Sequence, residues 1–140
     1  MLHASGVQIR TQLWQGCGHV KPARRPPVPL NAARLQDLAL HYVSRFATTR
    51  ARAAAYLARK IRERGWDDAT APDPAGLAER LADAGYIDDA AFAEARARSH
   101  ARRGLGGRRV DQALYAAGIA EDDRRGADAI TAAERAASAL

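Results

Sequence analysis

A chain of 140 residues carrying a net charge of +6 and a single cysteine has the size of one domain and no means of forming an intrachain disulfide. No run approaches the about 20 apolar residues that a membrane-spanning helix needs, and the first thirty residues lack the charged-then-apolar order of a signal peptide. Alanine dominates, and aromatic residues make up 6% of the sequence. Such a composition favours helix, because alanine loses no side-chain entropy there, and it places the burden of the core on a few large side chains.

The charge is unevenly spread. Residues 1–30 carry +4, 31–66 carry +6, 67–87 carry −4, 88–119 carry +2 and 120–140 carry −2. Basic helical blocks separated by an acidic one point to an anionic partner. The competing explanation is an arginine-rich composition whose charges are simply solvated.

Residues 1–30 end in "KPARRPPVPL", whose prolines exclude a helix interior and favour extended backbone. This stretch reads as a flexible basic tail. Cys17 and His19, with His3, lack the second ligand pair of a metal site, so no metal or cofactor is expected.

From Asn31, a plausible N-cap, Leu35, Leu38, Ala39, Tyr42, Val43 and Phe46 line one face of a helix. "ATT" breaks it at 47–49, and Thr48 or Thr49 can cap a second helix reaching Arg64. Ala54, Leu57 and Ile61 face its inside, while Arg52, Arg59 and Arg62 lie opposite. Gly65 ends it. After "WDDATAPD", Asp73 caps a third helix with Pro74 at its first position and Leu77 and Leu81 as its stripe. Gly85 closes that one, and Asp88 caps a fourth helix over 89–103. The Asp88/Asp89 pair reads as helix-start chemistry rather than paired catalytic carboxylates. "GLGG" at 104–107 then precedes a fifth helix with Val110, Ala113, Leu114 and Ala117 inward. A sixth runs from 121 to 137, with Ala129, Ile130 and Ala133 as its best stripe.

A shift of 57 residues lays the first two helices on the fourth and fifth. Leu35 falls on Phe92, Leu38 on Ala95, Arg52 on Arg109, Ala53 on Val110 and Leu57 on Leu114, and "FATTRAR" falls on "RGLGGRR". A repeat of helical units implies modules stacked in tandem. It also turns the glycines from a candidate phosphate loop into an interhelical turn, since a sister module places "FATTR" there.

Three segments, "LALHYVSRFATTRARAAAYLARKIRERGW", "LADAGYIDDAAFAEARARS" and "LGGRRVDQALYAAGI", resemble the RecX family, regulators of the RecA recombinase. The helix start "GYIDDAAFA" and the "LGxRRVxxALxxxGI" element are the most specific marks, and the likeness covers residues 31–119. The resemblance implies an all-α fold of tandem three-helix modules, forming an elongated helical repeat, and a cytoplasmic location. It also implies binding to the RecA–DNA filament, with modulation, usually inhibition, of RecA's ATPase and strand exchange and no catalysis of its own. The family typically has a third full module. Residues 1–30 are therefore assigned to the tail, 31–87 to a first module, and 88–140 to the second module plus the first helix of a truncated third.

Arg50, Arg52, Arg59 and Arg62 in the first module and Arg102, Arg103, Arg108 and Arg109 in the second are the candidates for contacting RecA or DNA phosphate, single- or double-stranded. Arg50 and Arg109 lie near the apolar flanks, where bracing of neighbouring helices competes with partner contact. A monomer without membrane contact is expected. The alternative is a helix-turn-helix protein acting directly on DNA, although Gln112 is the sole non-arginine base-reading candidate early in the fifth helix. His41 and His100 have no catalytic constellation, and no phosphate-loop lysine follows the glycines, so no enzyme is expected.

Overall fold

Helix-start chemistry recurs along this chain. Asn31, Thr49, Asp73 and Asp88 each accept a hydrogen bond from the backbone N–H three residues on, satisfying a donor that the helix leaves orphaned. A computed structural model describes residues 27–139, which contain six helices: α1 (Ala32–Arg45), α2 (Arg50–Arg64), α3 (Pro74–Asp83), α4 (Asp89–Arg102), α5 (Gly107–Ala116) and α6 (Glu121–Ser138). The fold is all-α, in tandem three-helix modules. Cys17, His19, His3 and most of the assigned tail lie outside the described residues.

Each module has its own core. In the first, Leu35 and Ala39 of α1, Ala53 and Leu57 of α2, and Leu77, Ala78 and Leu81 of α3 are buried together with Leu30 and Ile87. Ala54 and Ile61 are half-buried beside them, whereas Phe46, the last member of the expected α1 stripe, is exposed beside the ring of Tyr42. In the second, Ala93, Ala97, Val110, Leu114, Ala117, Ile119 and Ala127 form the cluster. The second core is the thinner one: four of its seven buried members are Ala93, Ala97, Ala117 and Ala127, so Leu114, Ile119 and Val110 supply most of its apolar volume.

Residues 27–30, assigned to the tail, are docked. Leu30 is fully buried, its N–H donates to Gly65 O at 2.9 Å, and its carbonyl accepts from Asp67 N at 2.8 Å. Arg64 holds Val28 O through Nε and Nη2 at 3.1 and 2.9 Å. The sequence assigns these residues to a flexible tail, whereas residues 27–30 are held against the segment after α2, with Leu30 forming a parallel bridge to Trp66.

The Asp68 carboxylate ties the linker to the start of α1, accepting Ala32 N at 3.0 Å and Thr70 N at 3.1 Å. These backbone N–H bonds, Ala32's first, hold its pKa below the ordinary value. A depressed folded-state pKa contributes stability above the unfolded pKa and loses it as pH falls through the folded one. Urea unfolding between neutral pH and about pH 3 is therefore expected to show a loss of stability on acidification that Asp68→Asn reduces.

The sixth helix differs from expectation twice. It lies along α4 and against α5, and its Ala127 enters their core, whereas the sequence assigned it to a further module. Its buried residues are Ala127 and Thr131, while Ala129 and Ala133 are exposed and Ile130 is half-buried. Thr131 can be buried because its hydroxyl bonds the Ala127 and Asp128 carbonyls at 3.2 and 3.0 Å.

Candidate partner-binding surface

The start of α2 meets the first turn of α4 and the residues that follow α5, and these contacts bring the modules together. Thr49 Oγ1 donates to Ala117 O at 2.6 Å while accepting Arg52 N at 3.2 Å, so one buried hydroxyl both caps α2 and holds the end of α5. Asp89, buried, accepts the Arg50 N–H at 3.0 Å and the Arg50 Nε at 3.4 Å. It thereby caps α2 from the first turn of α4. Gly118, at φ +78°, passes directly against Ala51.

Arg50 is consequently a brace. Its guanidinium also pairs with Glu79 of α3 at 3.2 Å, and the carboxylates of Asp89 and then Glu79 raise its pKa further above the ordinary arginine value. Arg52 is exposed, with its guanidinium 5.6 Å from the centre of the Phe92 ring in the other module. Arg59 is exposed, lies 5.6 Å from the Tyr56 ring centre, and pairs with Glu63 at 3.6 Å. Tyr56 in turn stacks on Tyr42, centroids 4.0 Å apart.

Arg62, Arg102, Arg103, Arg108 and Arg109 are exposed, and among the described residues none forms an ion pair. Arg109, a bracing candidate by position, therefore stands apart from Arg50. Arg108 and Arg109 occupy the first turn of α5, which Gly106 precedes without a side-chain cap, in contrast to Thr49 before α2. The eight arginines thus divide into one brace, two that lie over rings and five without an ion-pair partner.

Sequence reasoning missed two arginines. Arg124 spans the α5–α6 junction, bonding Asp111 at 2.9 Å and Ile119 O at 2.7 Å and lying 5.3 Å from the Tyr115 ring centre. Arg96 lies 6.0 Å from the Phe92 ring centre. The spacing of Phe92 and Arg96, one helical turn, was the available signal for the second. The first depends on α6 folding back, which the alanine-rich pattern did not reveal.

The GLGG turn is built as expected of a helix connection. Gly104 has φ +74°, and the Leu105 N–H returns to His100 O at 3.0 Å to close α4. The flanking strand-like residue Gly106 then opens α5 directly.

Comparison with known proteins bears on this arrangement. Residues 88–127, covering α4, α5 and the start of α6, match the model of the RecX second three-helix domain. That region of the chain is similar to a RecX domain. The chain is 34% identical over 105 residues to the regulatory protein RecX of Mycobacterium sp. strain KMS, and equally to that of strain MCS. The RecX of strain JLS is 32% identical over the same length. Each alignment covers 74% of this chain and 56% of the relative, so the chain spans about half the length of the curated relatives it matches. No solved structure matches the chain. The matched region ends at 127, inside α6, a helix that packs on α4 and α5. No helix among the described residues is long and apolar enough to cross a membrane.

Proposed function

We propose that this chain is a non-enzymatic cytoplasmic regulator that binds the RecA–DNA filament and lowers its ATP hydrolysis and strand exchange. The observation that carries this reading is the RecX likeness, which runs through both modules and includes the "LGGRRVDQALYAAGI" element bearing Arg108 and Arg109. Exposed arginines that have no ion-pair partner among the described residues, on both modules, support an anionic counterpart, either acidic protein surface or DNA phosphate. Such contacts weaken as salt rises, because cations released from phosphate are replaced at higher cost in dilute salt than in concentrated salt.

The test is co-sedimentation with RecA filaments formed on single-stranded DNA. Arg108→Ala/Arg109→Ala is expected to weaken association roughly tenfold, the loss of two exposed charge contacts worth about 0.5–1 kcal/mol each. Its helicity and unfolding midpoint should stay unchanged, since both side chains are exposed. Unchanged association of the double variant would remove these two residues from the interface.

A second reading rests on α4, the GLGG turn and α5, which together have the layout of a helix-turn-helix with Arg108, Arg109 and Gln112 exposed near the start of its second helix. It requires tight sequence-specific duplex binding in the absence of RecA.

A further inference from the structure

A groove of about 430 Å³ opens between the modules, walled by Ala47 and Thr48 of the α1–α2 turn, Tyr86, and Phe92, Arg96 and Ser99 of α4. Its lining is mainly apolar, and Tyr86 is 57% exposed although it is a large aromatic residue. At Phe92, the guanidinium groups of Arg52 and Arg96 both approach the ring, one from each module. Neither has a carboxylate partner among the described residues. Asp88 also lines the groove, but its carboxylate is engaged in capping α4 through the Ala91 N–H at 3.0 Å. Thr48 is 6% exposed, and its hydroxyl has no hydrogen-bond partner among the described residues. An unsatisfied buried hydroxyl is costly, so the fold retains here a polar group it does not itself use.

We propose that this groove binds a short peptide segment in which a large apolar side chain is flanked by carboxylates. The apolar side chain fills the space between Tyr86, Ala47 and Phe92. The carboxylates meet Arg52 and Arg96, whose charges are held at the rim by the Phe92 ring. A χ1 rotation of Thr48 turns its hydroxyl toward a backbone group of the bound segment. A single-stranded nucleic acid fits less well: the Phe92 ring already carries two guanidinium groups, and the apolar lining offers few partners for the polar edges of a base. The inference goes beyond the RecA reading and takes from it no more than a protein partner.

The experiment is a titration of the ¹⁵N-labelled full chain, followed by amide resonances, with the peptide acetyl-DFDLE-amide, its uncharged counterpart acetyl-NFNLQ-amide, and an eight-residue oligothymidylate. The acidic peptide is expected to shift the resonances of Thr48, Tyr86, Phe92 and Ser99, and to bind roughly tenfold more tightly than the uncharged one. Arg52→Glu/Arg96→Glu should abolish the shifts while the remaining spectrum stays folded. Absence of binding at millimolar acidic peptide, shifts that survive the double reversal, or oligothymidylate producing the same shifts more strongly would each overturn the proposal. None of these outcomes decides whether the chain acts on RecA, which is read separately by filament binding and ATP hydrolysis.

Thr48 also gives a prediction about the free protein. Thr48→Val removes an unpaired hydroxyl while keeping the shape of the side chain, and is expected to raise unfolding stability by about 1 kcal/mol. Chemical denaturation measures it, and a loss of stability would show that the hydroxyl has a partner in solution.

Discussion

Gly118→Ala is expected to destabilise the chain by about 3 kcal/mol, the sum of two independent costs. At φ +78° an L-residue meets the steric penalty of the left-handed region, about 1–2 kcal/mol. A Cβ at 118 also overlaps the Cβ of Ala51 in the first turn of α2, so the modules must separate or α2 must shift. Gly104→Ala separates the two effects. Gly104 has φ +74° but open space around its Cβ position, so its replacement carries the backbone penalty alone, about 1–2 kcal/mol. Thermal and urea unfolding of the two variants measures the difference. Equal losses would mean that the modules do not approach at Gly118 as closely as described.

Asp89→Ala should cost about 2–3 kcal/mol, as expected for removing a buried charged acceptor of two hydrogen bonds. The carboxylate is buried while serving the α2 start, so its loss uncaps the Arg50 N–H and frees the guanidinium together. Asp89→Asn should recover part of the loss, because an amide oxygen can still accept the Arg50 N–H. Arg50→Ala is expected to cost less than Asp89→Ala, since the backbone donor at position 50 survives and the Arg50 side chain is 40% exposed. The order Asp89→Ala, Arg50→Ala, Asp89→Asn in decreasing loss is checked by urea denaturation at neutral pH. A larger effect at Arg50 than at Asp89 would place the junction's stability in the Glu79 pair instead.

The sequence was most legible where local chemistry decides the structure. The caps Asn31, Asp73 and Asp88 and the start of α3 at Pro74 all act through residues within one turn. The repeat was legible for the same reason: α1 and α4 begin at Ala32 and Asp89, and α2 and α5 at Arg50 and Gly107, each pair 57 apart. The third pair was hidden. Because α2 has 15 residues and α5 has 10, and the linker after α2 is longer, α3 and α6 begin at Pro74 and Glu121, only 47 apart. A single shift cannot register both differences, and α6 consequently looked like the opening of a new module.

The candidate surface was legible as a set of arginines but not in its division of labour. Nothing local to Arg50 announces that Asp89, 39 residues away, accepts its backbone N–H. Likewise Arg52 meets the Phe92 ring through the contact between modules, while Arg62 and Arg108, of the same residue type, lie over no ring and meet no carboxylate among the described residues. Alanine-rich helices sharpen the problem, because an exposed and a buried alanine are identical in sequence. Ala93 and Ala97 are fully buried while Ala129 and Ala133 face solvent.

The most direct measurement is DNA-dependent ATP hydrolysis by RecA, with and without this chain, alongside duplex binding by the chain alone. The expected result is a salt-sensitive decrease in ATP hydrolysis that Arg108→Ala/Arg109→Ala weakens, with no tight sequence-specific binding to duplex DNA. Unchanged hydrolysis combined with such tight, sequence-specific binding would contradict the RecA reading and establish the chain as a DNA-binding protein in its own right.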